Sequence, residues 1–255
     1  MPTRDRYDQG VPSWVDLTTS DFDTAKRFYT ALFGWDCQDQ ESDAGPYAMA
    51  LQNGEPAAGI YQSQGDTSMW NTYIAVDDAD TTAKAITDAG GRILMEPMDV
   101  MDSGRMAMAA DPTGAVFGIW QAGNHIGARV VNEHGALNWN ELTTDDTAAA
   151  TAFYENVFGY EVETTETPGG RDYHMFKVGG RGIGGALQPP KPDMPNSWGV
   201  YFAVDDVAEA ERVATENGGS VVYGPMEAPD VGTFLGLVDP VGSQFTVIQL
   251  AAPVD

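Results

Sequence analysis

At 255 residues the chain has room for one domain or two, and 42% hydrophobic content belongs to a folded globular protein. Thirteen basic against 38 acidic residues leave a net charge of −25, a surface that repels nucleic-acid phosphates and anionic membranes. The single cysteine, Cys37, excludes an intrachain disulfide; no run approaches the ~18 apolar residues of a membrane span, and Met1–Asp8 lacks the apolar core of a signal peptide, so a cytoplasmic location is expected, with leaderless export as the alternative.

The stretch from Trp14 to Thr19 is β-prone, and Ser20 or Asp21 behind it is a helix N-cap. Ala25, Phe28, Tyr29 and Leu32 then fall at i, i+3, i+4 and i+7, one face of a helix, and Gly34 supplies a left-handed C-cap. Short apolar runs follow, such as Tyr47–Leu51 before the turn Asn53-Gly54. The pattern restarts at Trp70, with Asp77 and Gly90, and ends in the run Met106–Ala110 and the turn Asp111-Pro112-Thr113-Gly114. Residues 124–135 fit no repeat and read as a linker. Trp139–Asp146–Gly159 and Trp198–Asp205–Gly218 then give the third and fourth copies of one spacing. The copies are nested. Trp14–Gly34 and Trp139–Gly159 share 10 of 21 residues, and Trp70–Asp78 and Trp198–Asp206 share 6 of 9, so the chain divides into similar halves, 1–123 and 136–255. Each quarter is predicted to be a β-α-β-β-β unit whose sheet cannot be covered alone, so units must pair. The glycine-rich stretch Val178–Gly185 lacks the Gly-Lys-Ser/Thr and following helix of a phosphate loop and reads as a hairpin. Pro189–Pro195 reads as a stiff rim or lid.

Three motifs carry a resemblance. Phe28-Tyr29…Phe33-Gly34 closes the first helix, Val76-Asp77-Asp78 opens the second, and Asp111-Pro112-Thr113-Gly114 precedes the last strand; Phe153-Tyr154…Phe158-Gly159, Val204-Asp205-Asp206 and Asp239-Pro240-Val241-Gly242 repeat them. With these the chain resembles the glyoxalase/bleomycin-resistance/extradiol-dioxygenase superfamily, also called vicinal oxygen chelate, and more narrowly its two-domain actinobacterial glyoxalase-like members. The fold this implies is α+β: tandem glyoxalase-like domains, each of two β-α-β-β-β units forming an open, cup-shaped mixed sheet with helices outside.

Metal enzymes of the superfamily carry ligands at positions that correspond here to Trp14, Asn71 and Gly118, and to Trp139, Gly199 and Thr246. None is a strong ligand for zinc, iron or manganese, so neither metal nor cofactor is expected. His125 and His134 lie in the linker and His174 in a strand, all read as surface or satisfied histidines. On the first strand Trp14, Asp16 and Thr18 share a face, as do Trp139, Glu141 and Thr143. The resemblance makes that face concave and adds Asn71, Tyr73, Trp120 and Tyr201. Asp16 and Glu141 are the candidate acid/base residues, since a carboxyl against an apolar wall has its pKa raised; both also read as structural buttresses. Trp14 and Trp139 read equally as core. Arg105 is a candidate anion contact or an exposed partner for acids such as Asp102.

The function expected is metal-independent binding of a small molecule in aromatic-lined cups, sequestration of the bleomycin-resistance type. The alternatives are a lyase or isomerase using Asp16 or Glu141, a metal-dependent member with non-standard ligands, or a chain with one working half. Neither nucleic acid nor membrane is an expected partner. The tandem halves favour a monomer with pseudo-twofold domain pairing over a dimer.

Overall fold

The computed structural model describes residues 3–40, 45–167, 169–192 and 194–252. Asp21 accepts from the Thr24 amide and opens α1 (Phe22–Phe33), and Gly34 closes it at φ 73°, where a side chain would be strained. Asp146 and Gly159 do the same for α3 (Thr147–Phe158). In the second and fourth quarters the cap falls one residue later than the repeat spacing implies. Asp78 opens α2 (Ala79–Asp88) and Asp206 opens α4 (Val207–Glu216). The first Asp of each doublet stays in the turn, where the Asp77 amide donates to the Gln9 side chain and the Asp205 amide to the His134 ring.

The first unit is β1 (Pro12–Thr19), α1, β2 (Asp36–Gln40), β3 (Tyr47–Gln52) and β4 (Glu55–Gln62). The second is β5 (Met69–Ala75), α2, β6 (Arg92–Val100), β7 (Gly104–Ala110) and β8 (Val116–Ala122). The second half repeats the order. It runs β9 (Leu137–Thr143), α3, β10 (Glu161–Glu166), β11 (Asp172–Val178) and β12 (Arg181–Leu187), then β13 (Ser197–Ala203), α4, β14 (Ser220–Ala228), β15 (Gly232–Val238) and β16 (Gln244–Leu250). Units one and two join through antiparallel β1 and β5 into an open mixed sheet ordered β2-β3-β4-β1-β5-β8-β7-β6. Units three and four join identically through β9 and β13. Val178–Gly185 is the β11–β12 hairpin, turning at Gly179 and Gly180 with φ 56° and 74°. Asp193, within the proline-rich stretch 189–195, lies outside the described residues. No helix among the described residues is long and apolar enough to cross a membrane.

Sheets pair the units one way and cores pair them another. Ala25, Phe28, Tyr29 and Phe33 of α1 are buried with Phe202, Val207, Leu237 and Phe245 of the fourth unit. Phe117 and Ile86 of the second unit are buried with Phe153, Tyr154 and Phe158 of α3. Each apolar helix face therefore packs on its own sheet and is closed over by the other half. A buried hydrogen-bond chain ties each junction. Trp70 Nε1 donates to the Tyr29 hydroxyl (2.9 Å), which donates to Asp239 Oδ2 (3.0 Å). Trp198 Nε1 donates to the Tyr154 hydroxyl (2.8 Å), which donates to Asp111 Oδ2 (3.1 Å). The other oxygen of each Asp caps its own Asp-Pro turn, accepting from the Thr113 and Ala115 amides or from those of Val241 and Ser243.

Candidate functional site

Strand alternation sorts the four repeated tryptophans. Trp70 and Trp198 point to the helix side and belong to the junctions above; Trp14 and Trp139 point to the concave side. In the first cup β1 and β5 pair Asp16 with Asn71 and Trp14 with Tyr73. Asp16 Oδ1 accepts from Asn71 Nδ2 (2.8 Å) and Oδ2 from the Tyr73 hydroxyl (3.0 Å), while Asn71 Nδ2 also reaches Thr18 Oγ1 (2.9 Å). In the second cup Glu141 Oε1 accepts from the Tyr201 hydroxyl (2.6 Å), and Trp139 Nε1 donates to the Tyr173 hydroxyl (2.8 Å). Tyr173 lies beside Glu141, and the Tyr223 hydroxyl shares a hydrogen bond with Thr246 Oγ1 (2.6 Å). The structure thus gathers Trp14, Asp16, Asn71, Tyr73 and Trp120 in one cup and Trp139, Glu141 and Tyr201 in the other. Arg105 is in neither. It lies on the opposite face of β7, where its guanidinium holds Asp80 and Asp99, and Asp102 is bonded instead to Asn124.

Sequence reasoning missed the tyrosines that complete the walls. Tyr47 stands beside Trp14 where Tyr173 stands beside Trp139 and accepts from it. Each ring lies across a glycine of the next strand. A Cβ on Gly59 would stand 2.2 Å from the Tyr47 hydroxyl, and one on Gly185 would stand 2.3 Å from that of Tyr173. Tyr73 covers Gly118 and Tyr223 covers Gly236 in the same way. The signal was present, since Tyr47–Gly59 and Tyr173–Gly185 have one spacing, twelve residues, in both halves.

The cups differ at their mouths. Over the first lies the segment 124–131. Ala128 is buried among Trp14, Tyr73 and Trp120, with Met49, Met106, Met108 and Val131 against them. His125 sets its ring edge-on to Trp14 (centroids 4.5 Å apart), and its carbonyl accepts from Trp120 Nε1 (2.8 Å). This histidine is a half-buried part of the cup, packed on Trp14 and Trp120. The N-terminal arm latches the segment, the Tyr7 hydroxyl donating to the Ala128 carbonyl (2.6 Å) and the Arg4 amide to that of Arg129 (2.9 Å). Trp14, Tyr73 and Trp120 are accordingly 4–6% exposed. In the second cup Trp139, Tyr173 and Tyr201 are only half-buried and Tyr223 is 37% exposed.

Burial sets the electrostatics. Asp16 is pushed up to about 6, desolvation outweighing the Asn71 and Tyr73 hydrogen bonds. Burial raises Glu141 as well, against the opposing bonds from Tyr201 and Tyr173, and lowers His125 to about 4, so its imidazole is neutral. Asp16 binds its proton more tightly folded than unfolded, so the stability tied to it is lost as pH rises from about 4 to about 6. His125 has the opposite sign, its stability being lost as pH falls over a similar range. The informative quantity is therefore the difference between the wild type and Asp16→Asn. In urea unfolding this difference should move against the wild type by about 2–3 kcal/mol between those pH values. A difference that is flat with pH would show Asp16 to be solvated.

A metal of the kind the superfamily uses needs imidazole, thiolate or carboxylate donors. Indole, amide and glycine at Trp14, Asn71 and Gly118, and indole, glycine and hydroxyl at Trp139, Gly199 and Thr246, do not fit it. Among the described residues no three His, Cys, Asp or Glu side chains come together. Asp16 and Glu141 are single carboxylates, each already bonded to phenols.

The family model described as Glyoxalase/Bleomycin resistance protein/Dioxygenase superfamily matches residues 12–119 and again 136–247. "Putative glyoxylase CFP32" of Mycobacterium tuberculosis is 46% identical over 258 residues, 98% of this chain and 99% of that protein. "Anthracycline biosynthesis protein DnrV" of Streptomyces peucetius is 36% identical over 269 residues, 96% of this chain and 95% of that one. Among solved structures, the Mn(II)-bound glyoxalase from Novosphingobium aromaticivorans superposes with a TM-score of 0.69 at 16% identity, over 97% of this chain and 85% of that one. The 2,3-dioxygenase LapB from Pseudomonas sp. KL28 gives 0.67 at 16% identity, over 97% and 95%. At that identity the structures share the fold. With both halves matched and such relatives spanning its length, the chain belongs to the glyoxalase/bleomycin resistance protein/dioxygenase superfamily, as a tandem two-domain member.

Proposed function

We propose that the protein binds and sequesters an aromatic or amphipathic small molecule in its second cup, without a metal. The observation that carries this reading is the asymmetry of the cups. Both have a carboxylate ringed by indole and phenol side chains, but only the first is covered by residues 124–131. Aromatic walls around a few polar groups are the composition of a small-molecule site, and half-buried rings leave contact area for a guest. The named relatives fit a role around small organic molecules, one called a glyoxylase and one an anthracycline biosynthesis protein. Isothermal titration with 1-naphthylmethanol tests it. One equivalent should bind per chain, Trp139→Ala should abolish binding, and Trp14→Ala should lower stability but spare it. Two equivalents, or loss in Trp14→Ala alone, would reverse the assignment.

Acid/base catalysis is the second reading, favoured by the upward-shifted carboxyls of Asp16 and Glu141. A lyase or isomerase of this kind would lose its turnover in Asp16→Asn or Glu141→Gln. Full activity in both would leave binding alone.

A further inference from the structure

The hydrogen bonds of the second cup are spent inward. Trp139 donates to Tyr173, Tyr201 donates to Glu141, and Tyr223 and Thr246 share a hydrogen bond. A guest is offered ring faces and a carboxylate. Tyr173 and Tyr223 lie across Gly185 and Gly236, where a Cβ would come within 2.3 and 2.2 Å of them, so each has one face on the sheet and the other towards the cup. The Trp139 ring reaches over Gly182 in the same manner, 3.3 Å from a Cβ placed there. Aromatic faces carry negative potential and attract cations.

Comparison with the first cup sharpens this. Asn71 supplies Asp16 with an amide donor there, and Gly199 holds the matching position beside Glu141. A Cβ on Gly199 would meet only the Glu141 carbonyl oxygen, at 3.5 Å. Glu141 therefore lacks the amide that completes Asp16. Arg171, whose charge acts on Glu141, is exposed and donates to the Gln188 carbonyl.

We infer that the second cup is an ammonium cage, in which Trp139, Tyr173, Tyr201 and Tyr223 surround a primary or alkylated amine and Glu141 neutralises it. This rests on the second cup being the ligand site and adds the class of ligand: a cationic amine on an apolar or aromatic body. A bound cation would also relieve the cost of burying the carboxylate, whose pKa burial raises.

The test compares three probes of one shape by titration calorimetry at about 0.15 M salt, where long-range attraction to the acidic surface is screened. The probes are 1-naphthylmethylamine, 1-naphthylmethanol and 1-naphthylacetate. The amine should bind about tenfold tighter than the alcohol, and the anion weakest. Glu141→Gln should collapse the ratio of amine to alcohol affinity from about tenfold towards one. Gly199→Asn, which places an amide where Asn71 stands in the first cup, should cut amine affinity in the same direction. Equal binding of amine and alcohol, or an amine preference that survives Glu141→Gln, overturns the cage. If the alcohol binds, is lost in Trp139→Ala, and no amine preference appears, the ligand site stands and the cage falls. If none of the three binds, both fall.

Discussion

Tyr29→Ala should lower the unfolding free energy by about 3–5 kcal/mol, the range for truncating a buried aromatic, although the residue is remote from either cup. Tyr29 is fully buried and stacks with Phe33 and Trp35 while meeting Trp70 edge-on. The packing loss is one part of the effect. The milder Tyr29→Phe isolates the other. It keeps the ring and removes the oxygen that accepts from Trp70 and donates to Asp239. Asp239 is a buried carboxyl whose pKa burial already raises, so losing that donor leaves a polar oxygen unpaired. A cost of about 1–3 kcal/mol is expected, and the same from Tyr154→Phe at Asp111 and Trp198. The two tyrosines sit in different cores, so their effects should add. Urea unfolding followed by tryptophan fluorescence measures all of these. Unchanged midpoints in both Phe variants would mean that the paired chains are incidental to stability.

Gly185→Ala should all but eliminate ligand binding, through a single methyl group. That methyl would stand 2.3 Å from the Tyr173 hydroxyl and 2.5 Å from Cζ, inside any contact distance. The ring must lift from the sheet, breaking its bond with Trp139 and filling the cup. Overpacking of this kind costs about 1–3 kcal/mol of stability. Gly59→Ala is the matched control, because its Cβ meets Tyr47 at 2.2 Å in the covered cup. It should destabilise comparably while 1-naphthylmethanol binds as before. Retained binding in Gly185→Ala would remove Tyr173 from the site.

Local chemistry made the architecture legible. Helix caps, the 3.6-residue face of Ala25, Phe28, Tyr29 and Leu32, and the nested repeat depend on neighbours in sequence, and the structure follows them apart from the one-residue shift to Asp78 and Asp206. Strand alternation then placed Trp14 with Asp16 and Trp139 with Glu141. What lies between distant segments was not legible. Residues 124–135 read as a linker because they match neither repeat, yet His125 and Ala128 occupy the first cup. Their contacts with Trp14 cross more than a hundred residues and leave no periodicity. Trp70 and Trp198 looked like further copies of Trp14, and only the pairing of units across the halves assigns them to the junctions. Arg105 was drawn away from the cups by two aspartates on its own face of the sheet.

The mismatch between sheet partners and core partners has a consequence for synthesis. The first sheet needs nothing beyond Ala122, so it can close while the rest of the chain is still being made. The cover for α1 arrives last, since Tyr29 waits for Asp239, 210 residues downstream. From Ala122 to Asp239 is 117 residues, which at about 5–20 residues per second takes on the order of 6–23 s. During it α1 rests on its own sheet but lacks the fourth-unit residues Phe202, Leu237 and Phe245 that close over it, and the nascent chain must be kept from its neighbours until that unit folds back.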